Sequence, residues 1–444
     1  MKFEKEAHYE PSMNRTVSWN VVLMFLVLVF GFMVATVLKP QDERSEAENR
    51  PLQQRPSLTW DSLISGEFAE DYEAYLSDQF VGRNGWITLR TDFERATGKQ
   101  ETSGVYFAKD GYLIESHEGI FTAKQADANI NLLAAWTGGM AETYGPEHFT
   151  VMLVPNAVDI LRDKLPAFAN PYDEEVYLAR AKSAVEAAVE AAVKAADAGD
   201  GEGGAAAGAG DGEGGAAVGS ADVWFDAASV LREHKDEEIF YRTDHHWKTL
   251  GAYYVYEEWA RSRGLSVGAY DSTSVTESFE GTISSKLGIK GRADSIERYD
   301  PEVAKDYYLV YNQSEDVRNS IYQDSFLGTK DKYSYFYGGN TGLIQTVMPK
   351  SQTEVSGSQA GASGDQTGAS GDQTGRKLLI IKDSYAHCFA PFTYENFDEV
   401  DLVDLRYYNS SLSELIAQGG YTDILFLQNA AGFAEETSLA KLAT

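Results

Sequence analysis

The longest apolar stretch of the chain runs from Val17 to Leu38 without a charged residue and is rich in Val, Leu, Phe and Met. Such a run is long enough to cross a bilayer as a helix. No Ala-x-Ala cleavage pattern accompanies it, which favours an uncleaved signal anchor. We therefore expect residues 1–16 to be cytoplasmic, residues 17–38 to span the membrane, and the proline-containing residues 39–56 to form a stalk outside the cell.

The pattern after the stalk is mixed. Residues 57–98 repeat apolar positions near helical spacing and predict helix. Residues 104–107 and 110–114 flank an Asp-Gly turn and predict a β-hairpin. A helix is predicted at 129–140 and a strand at 149–154, so both element types occur in this half of the chain.

The last part of the chain gives the clearest indication of fold class. Residues 378–382, 399–405 and 422–427 predict strands, and residues 411–417 predict a helix between the last two. Strands that alternate with helices of this length indicate an α/β fold with a parallel sheet and flanking helices. Active sites in such sheets lie beyond the carboxyl ends of the strands.

Two low-complexity inserts interrupt the pattern, at residues 183–220 and 355–375. The first is rich in Ala, Gly and acidic residues, and the second contains a tandem Gly-Ala-Ser-Gly-Asp-Gln-Thr repeat. Neither composition can form a core, so both predict solvated surface loops. Without them, residues 57–444 are expected to form one α/β ectodomain.

The net charge and the cysteine count exclude some classes of protein. The 444-residue chain has a net charge of −30, and no basic stripe could neutralise phosphates, so nucleic-acid binding is excluded. Cys388 is the single cysteine, which rules out an internal disulfide framework. Its apolar neighbours predict a buried thiol.

A dense acid–base cluster lies near the middle of the chain, at Arg242-Thr243-Asp244-His245-His246-Trp247. Residues 238–241 before it predict a short strand, and residues 250–263 after it predict a helix with an apolar core face. α/β enzymes place catalytic groups where a strand leads into a helix. Trp247 is expected to wall the site or to pack beneath it.

His246 is the candidate general base, because imidazole suits proton transfer at neutral pH. On an extended segment Asp244 would share its face and could orient the imidazole, while His245 would face the other way, toward packing or a structural hydrogen bond. A metal site of Asp244, His245, His246 and His234 is an alternative. Adjacent histidines on one strand diverge, whereas zinc needs three convergent ligands, so this alternative is less favoured. A capped turn without chemistry is a third interpretation.

Ser384 follows a predicted strand and begins a helix, so its hydroxyl is the candidate nucleophile beside free backbone N–H groups. Arg406, Tyr407 and Asn429 follow the next two strands and are candidate oxyanion or substrate contacts. His387 would point away from the substrate side. The alternative without chemistry is that Ser384 and Asn429 only cap helices.

The motifs that carry a family resemblance are Asp244-His245-His246-Trp247, Gly104-Val105-Tyr106-Phe107, Lys382-Asp383-Ser384-Tyr385 and Asp404-Leu405-Arg406-Tyr407-Tyr408. In combination they resemble the DHHW family of bacterial surface proteins. That family is similar to the alginate O-acetylation proteins, whose catalytic domain is a permuted SGNH hydrolase fold. The resemblance covers the chain from about residue 57 onwards, apart from the inserts.

By position, the resemblance implies Ser384 as nucleophile, His246 as base, Asp244 as its orienter, and Arg406, Tyr407 and Asn429 near the oxyanion. It implies no cofactor. The implied partners are a membrane-bound O-acyltransferase and a cell-surface polysaccharide, besides membrane lipid around the single span. Lys382 stands where the family of SGNH enzymes has Gly, so alginate itself is not carried over as the substrate.

The expected function is extracytoplasmic transfer of an acetyl group to polysaccharide hydroxyls. A carbohydrate esterase with the same triad, a polysaccharide-binding or assembly protein with a degenerate site, and a metal-dependent hydrolase are the alternatives.

Overall fold

The computed structural model describes residues 15–45, 50–199, 223–301, 307–347 and 375–443. Most of the predicted cytoplasmic segment and the inserts from residue 200 to 220 and from 355 to 374 lie outside the described residues. The chain divides into two compact units, Met1–Phe93 and Glu94–Thr444.

The first unit contains the predicted span as a continuous helix. Its elements are α1 (Arg15–Leu38), β1 (Arg44–Ser45), β2 (Arg50–Pro51), α2 (Trp60–Ser65), α3 (Glu67–Gln79) and the start of α4 (Arg83–Ala96). The helical pattern of residues 57–98 is thus broken twice. Gly66, with a φ of 86°, ends α2, and Phe80 leaves the helical region after α3.

The segment predicted as a stalk is folded onto α3. β1 and β2 pair antiparallel, with Ser45 opposite Arg50. The Asp78 carboxylate of α3 accepts two hydrogen bonds from the Arg50 guanidinium, at 2.6 and 2.9 Å, and one from the Gln53 N–H at 2.9 Å. These contacts order residues that the sequence marked only as polar and proline-containing.

The second unit alternates strands and helices. Its strands are β3 (Glu101–Thr102), β4 (Val105–Phe107), β5 (Leu113–Glu115), β6 (Phe149–Val154), β7 (Tyr270–Phe279), β8 (Asp294–Pro301), β9 (Tyr308–Tyr311), β10 (Val317–Arg318), β11 (Leu343–Val347), β12 (Lys377–Lys382), β13 (Glu399–Val403) and β14 (Asp423–Asn429). Its helices are α5 (Lys124–Tyr144), α6 (Ala157–Ile160), α7 (Glu174–Gly199), α8 (Ala227–Glu233), α9 (Thr249–Ser262), α10 (Thr282–Leu287), α11 (Ala386–Thr393), α12 (Leu412–Gly419) and α13 (Ala430–Glu435).

The central sheet has the strand order β10-β9-β11-β13-β12-β14-β6. β12 pairs in parallel with β13 and β14, and β14 pairs in parallel with β6, whereas β11, β9 and β10 join antiparallel. The predicted α/β class with a parallel centre is therefore confirmed. The carboxyl ends of β12, β13 and β14 meet at one edge, which is where the candidate residues follow.

Both faces of β12, the middle strand of the parallel group formed with β13 and β14, are buried. Leu378 and Ile380 pack into one hydrophobic cluster, and Leu379 and Ile381 pack into the other. A strand covered by helices on both sides reads as an unbroken apolar run, as this one does. That explains why the sequence located β12 so well.

Several predicted elements are present, and two predictions are wrong. The Asp-Gly hairpin forms between β4 and β5, and α9 occupies the helix predicted after the acid–base cluster. Residues 238–241 are not a strand, because Phe240 makes only an isolated bridge to Trp247. The first insert was predicted as a solvated loop, but its first part lies within helix α7, which continues to Gly199, and Val185 and Val189 are buried in the core.

Candidate active site

The acid–base cluster lies on a tight loop closed by its own backbone. The N–H of Tyr241 donates to the carbonyl of His246 at 3.2 Å, and the N–H of Lys248 donates to Ile239 at 2.8 Å. Within the loop, the His246 N–H donates to the Asp244 carboxylate at 3.1 Å. A side chain that bonds the backbone two residues on forms an Asx turn. This turn, rather than an extended strand, brings Asp244 beside His246.

A buried carboxylate from β8 holds this loop in place. Asp294 accepts hydrogen bonds from the N–H groups of Arg242 and Thr243, each at 3.0 Å, and from the Thr243 hydroxyl at 2.7 Å. No sequence pattern predicts this contact, because Asp294 is distant in the chain and belongs to no recognisable motif. It fixes the backbone from which Asp244 and His246 project.

Asp244, His246 and Ser384 form a continuous hydrogen-bonded line. The His246 Nδ1 lies 2.5 Å from Asp244 Oδ1, and the His246 Nε2 lies 2.7 Å from Ser384 Oγ. Asp244 also accepts from the N–H and hydroxyl of Thr282, at 2.8 and 2.9 Å. The ring of Tyr333 stacks on the imidazole at 3.8 Å. The arrangement has the geometry that nucleophilic catalysis by serine requires.

The electrostatics suit a neutral imidazole and an ionised carboxylate. Burial, together with the neighbouring His245, lowers the pKa of His246 to about 4. Burial alone would raise the pKa of Asp244, but His245, His246 and the bond from Thr282 hold it below its usual range. At neutral pH the Nε2 of His246 can therefore accept the proton of the Ser384 hydroxyl.

Ser384 lies between the end of β12 and the start of α11, in a turn that Asp383 braces. The Asp383 carboxylate accepts from the N–H of Tyr385 at 2.8 Å and from both the N–H and the side-chain amide of Asn429, at 2.8 and 2.6 Å. The Tyr333 hydroxyl donates to the carbonyl of Ser384 at 3.1 Å. The turn that carries Ser384 is therefore held by contacts with Tyr385, Asn429 and Tyr333.

Arg406 and Asn429 both reach the space beside Ser384. The Arg406 guanidinium is held by two hydrogen bonds to the buried Asp404, at 2.8 and 2.6 Å. Asn429 accepts from the N–H of Gly432 at 2.8 Å and so caps α13. The capping interpretation of Asn429 is confirmed, and its amide also lines the cavity.

Trp247 and Tyr407 do not reach that space. Trp247 is fully buried, donates from Nε1 to the carbonyl of Tyr385 at 2.9 Å, and packs beneath the site. Tyr407 has about half of its surface exposed and is outside the cavity lining. His387 is buried and accepts from the Lys382 ammonium at 2.7 Å, so it points away from Ser384 as expected.

A cavity of about 670 Å³ opens beside Ser384. Its lining is polar and includes six acidic residues, one of which, Glu115, pairs with Lys286 at 2.8 Å. His245 lies on its wall and bonds Thr282 Oγ1 at 2.9 Å. The sequence had assigned His245 only to packing or a structural bond. Other lining residues include Glu101, His117, Asn156, Gln428 and Glu435.

A metal site was the competing interpretation of the cluster. Among the described residues, ligand atoms of Asp244, His245 and His246 lie within 4.8 Å of one another. The expectation that the two imidazoles diverge was wrong, because the segment is a turn and their ring centres are 3.9 Å apart. Both ring nitrogens of His246, however, already bond Asp244 and Ser384. A metal ion would have to displace one of those bonds.

Comparison with known proteins agrees with this fold. Residues 224–403 match the family described as DHHW protein, so the predicted resemblance is confirmed. A DHHW family protein from Eubacterium siraeum is similar in structure, with 20% identity, 77% of this chain and 96% of that chain covered, and a TM-score of 0.51. Curated proteins gave no match.

Two further structures were found with lower scores. PatB1 from Bacillus cereus has 15% identity and a TM-score of 0.46, with 74% of this chain and 97% of that chain covered. The O-acetyltransferase domain of AlgJ from Pseudomonas putida has 11% identity and a TM-score of 0.37, with 76% and 98% covered.

Proposed function

We propose that this chain, which contains the DHHW family region, transfers an acetyl group to hydroxyls of a cell-surface polysaccharide. The observation that carries the proposal is the line from Asp244 through His246 to Ser384, at the mouth of a cavity that can hold part of a sugar chain. A serine is a weak nucleophile until a base removes its proton, and here the base is within 2.7 Å.

The first half-reaction forms an acyl-enzyme. Ser384 Oγ attacks the carbonyl carbon of an acetyl donor while His246 Nε2 takes the hydroxyl proton. The tetrahedral oxyanion collapses, the bond to the donor oxygen breaks, and His246 returns the proton to that leaving oxygen. The Ser384 N–H, which donates to no acceptor among the described residues, and the amide of Asn429 are the proposed oxyanion donors.

The second half-reaction regenerates the serine. A sugar hydroxyl enters the cavity, His246 removes its proton, and the sugar oxygen attacks the acetyl carbonyl. The Ser384 ester bond breaks and the proton returns to Oγ, so atoms and charge balance. Arg406, held rigidly by Asp404, is proposed to contact the acceptor or the acetyl oxygen. Trp247 is assigned support beneath the site and Tyr407 no direct contact.

The proposed location is the outer face of a membrane. Among the described residues, Val17–Leu38 is the helix long and apolar enough to cross one. We assign it as a single-pass anchor with the catalytic unit extracytoplasmic. The resemblance to acetylation systems implies a membrane-bound O-acyltransferase as the donor partner, which would deliver acetyl groups across the bilayer.

The test is acetyl release from an activated acetyl ester by the full chain in detergent. Ser384→Ala and His246→Ala are expected to lower kcat/KM by roughly 10³-fold or more. Ser413→Ala and His148→Ala, which alter residues outside the cavity, are matched controls and should retain the wild-type rate. A serine-reactive phosphonate should label the wild type stoichiometrically and leave Ser384→Ala unlabelled.

The alternatives give different results in the same assay. An esterase releases acetate but forms no new ester when a soluble polysaccharide is added, whereas a transferase forms one. A binding or assembly protein shows neither turnover nor labelling. The second candidate function is a metal-dependent hydrolase, with Asp244, His245 and His246 as the metal ligands. It would be supported if a chelator abolished turnover and added zinc restored it.

A further inference from the structure

The first unit carries apolar helix faces that are largely exposed among the described residues. On α2, Trp60, Leu63 and Ile64 share one side, and Trp60 and Ile64 are 79% and 82% exposed. A helix of a soluble protein normally turns such a stripe toward the core. Contiguous exposed apolar surface marks a site of interaction with protein or membrane.

Helix α4 also has its apolar side exposed and its opposite side buried. Trp86, Leu89 and Phe93 recur at helical spacing and are all exposed, with Phe93 68% exposed. On the other side of the helix Thr91 is only 3% exposed. The apolar side of α4 therefore faces outward, although its sequence could have placed that side in a core.

Contacts with the membrane helix indicate what this apolar surface meets. The ring of Trp86 packs edge-on against Phe32 of α1 at 5.4 Å, and Phe80 stacks on Phe32 at 6.0 Å. The N–H of Val81 donates to the Thr36 hydroxyl at 3.3 Å. All of these residues belong to the first unit.

Those contacts lie within the length of the span rather than beyond it. Phe32 is six residues before Leu38, which is about 9 Å along a helix that rises about 1.5 Å per residue. A residue that touches Phe32 is therefore at a depth where the neighbours of the span are lipid chains or headgroups. Trp86 is at that depth, and Leu89 and Phe93 continue its stripe.

We propose that residues 58–93 form a membrane-embedded collar, in which α2 and α4 lie in the outer lipid interface with their apolar faces in the bilayer. The inference rests on the proposed anchoring by Val17–Leu38. Amphipathic helices bind in this way when one face is apolar and rich in aromatic side chains. Trp is the residue enriched at the membrane–water interface, which suits Trp60 and Trp86.

The test is site-directed spin labelling of the full chain in phosphatidylcholine nanodiscs, repeated with added phosphatidylglycerol. Labels at Ile64→Cys and Leu89→Cys probe the two apolar faces, and Asn84→Cys on the opposite side of α4 is the matched control. Val27→Cys, in the middle of the span, reports whether the anchor is in the bilayer. The native Cys388 is buried and should remain unlabelled, which the wild type checks.

Collision with oxygen reports lipid, and collision with a water-soluble nickel complex reports water. We expect the oxygen-to-nickel ratio at positions 64 and 89 to be several-fold higher than at position 84 and closer to that at position 27. A ratio at 64 and 89 equal to that at 84 would place these faces in water and overturn the collar. Low collision with both reagents would show that protein covers them, as in a second copy or a partner, and would also overturn it.

The label at position 27 distinguishes an error in the proposed collar from an error in the proposed membrane anchor. If position 27 is accessible to nickel, residues 17–38 do not span the bilayer and the collar is rejected with the anchor. If position 27 is in lipid and positions 64 and 89 are in water, the anchor stands and the collar alone is wrong. None of these outcomes depends on acetyl transfer.

Discussion

Replacing Asp244 by Asn tests the proposed mechanism most directly, because it changes one atom type and keeps the side-chain shape. The Asp244 carboxylate accepts four hydrogen bonds: from the N–H and Nδ1 of His246 and from the N–H and hydroxyl of Thr282. An Asn amide has one oxygen and one NH₂ group, so it cannot accept all four. Each oxygen accepts two of these bonds, so the NH₂ group would face either both donors of His246 or both donors of Thr282.

The expected loss of activity follows from the tautomer of His246. If the Asn NH₂ faces Nδ1, that nitrogen must accept, and the ring proton moves to Nε2. The Nε2 then cannot take the proton of Ser384, which lies 2.7 Å away. The same change in serine proteases lowers kcat by about 10⁴-fold, equivalent to about 5–6 kcal/mol. We expect a loss of that order in Asp244→Asn.

A structural effect must be separated from this catalytic one. Leaving a buried donor without a partner costs about 1–3 kcal/mol of folding stability. Asp294→Asn is the matched control, because Asp294 is a second buried carboxylate, at the start of β8, that bonds Arg242 and Thr243 of the same loop but not His246. It should lose comparable stability while keeping kcat/KM within about tenfold of wild type.

The assay combines acetyl-ester turnover with thermal unfolding of the full chain. Asp244→Asn should be nearly inactive at temperatures where both variants are folded. Equal loss of activity in the two variants would mean that Asp244 acts only by holding the loop. If kcat/KM of Asp244→Asn stays within tenfold of the wild-type value, the carboxylate does not orient the base and the proposed role of Asp244 is refuted.

Further predictions concern the same site. Burial lowers the pKa of His246 to about 4, so this base stays unprotonated down to mildly acidic pH. In a pH–rate profile, kcat/KM should therefore fall only below about pH 5. A fall with a midpoint near pH 6.5 would contradict this. Asp404→Asn should cost about 3–5 kcal/mol in chemical denaturation because it removes the counter-ion of the fully buried Lys382, whereas Lys382→Met should cost less because Arg406 still pairs with Asp404. A Cβ at Gly281 would overlap the carboxylate that orients the base, so Gly281→Ala should lower kcat/KM by about 10²-fold, while Gly139→Ala, which meets open space, should not.

The strands of the sheet centre could be read directly from the sequence. Residues 378–381 and 424–427 are continuous apolar runs because helices cover both faces of β12 and β14 and bury these side chains. The order of these strands also placed Ser384 and Asn429 at one edge. Periodicity is a local property, so a local pattern is sufficient to find it.

Asp244 and His246 are in contact, but not through the conformation from which the sequence analysis expected them to meet. The sequence suggested an extended strand in which alternate residues share a face. The observed segment is a turn, and the Asp244 side chain reaches His246 by bonding its backbone N–H. Both conformations bring residues i and i+2 together, which is why the sequence could not distinguish them.

What only the tertiary structure decided is how distant residues meet. Ser384 and His246 are 138 positions apart, and Thr282 reaches Asp244 across 38. Asp294, Tyr333 and Gly281 carry no local pattern, because their roles come from the space and donors around them after folding. The sequence determined the strands, the candidate nucleophile and the acid–base pair through periodicity and residue chemistry. The cavity, its acidic wall and the outward apolar faces of α2 and α4 were set by packing, which no short-range pattern encodes.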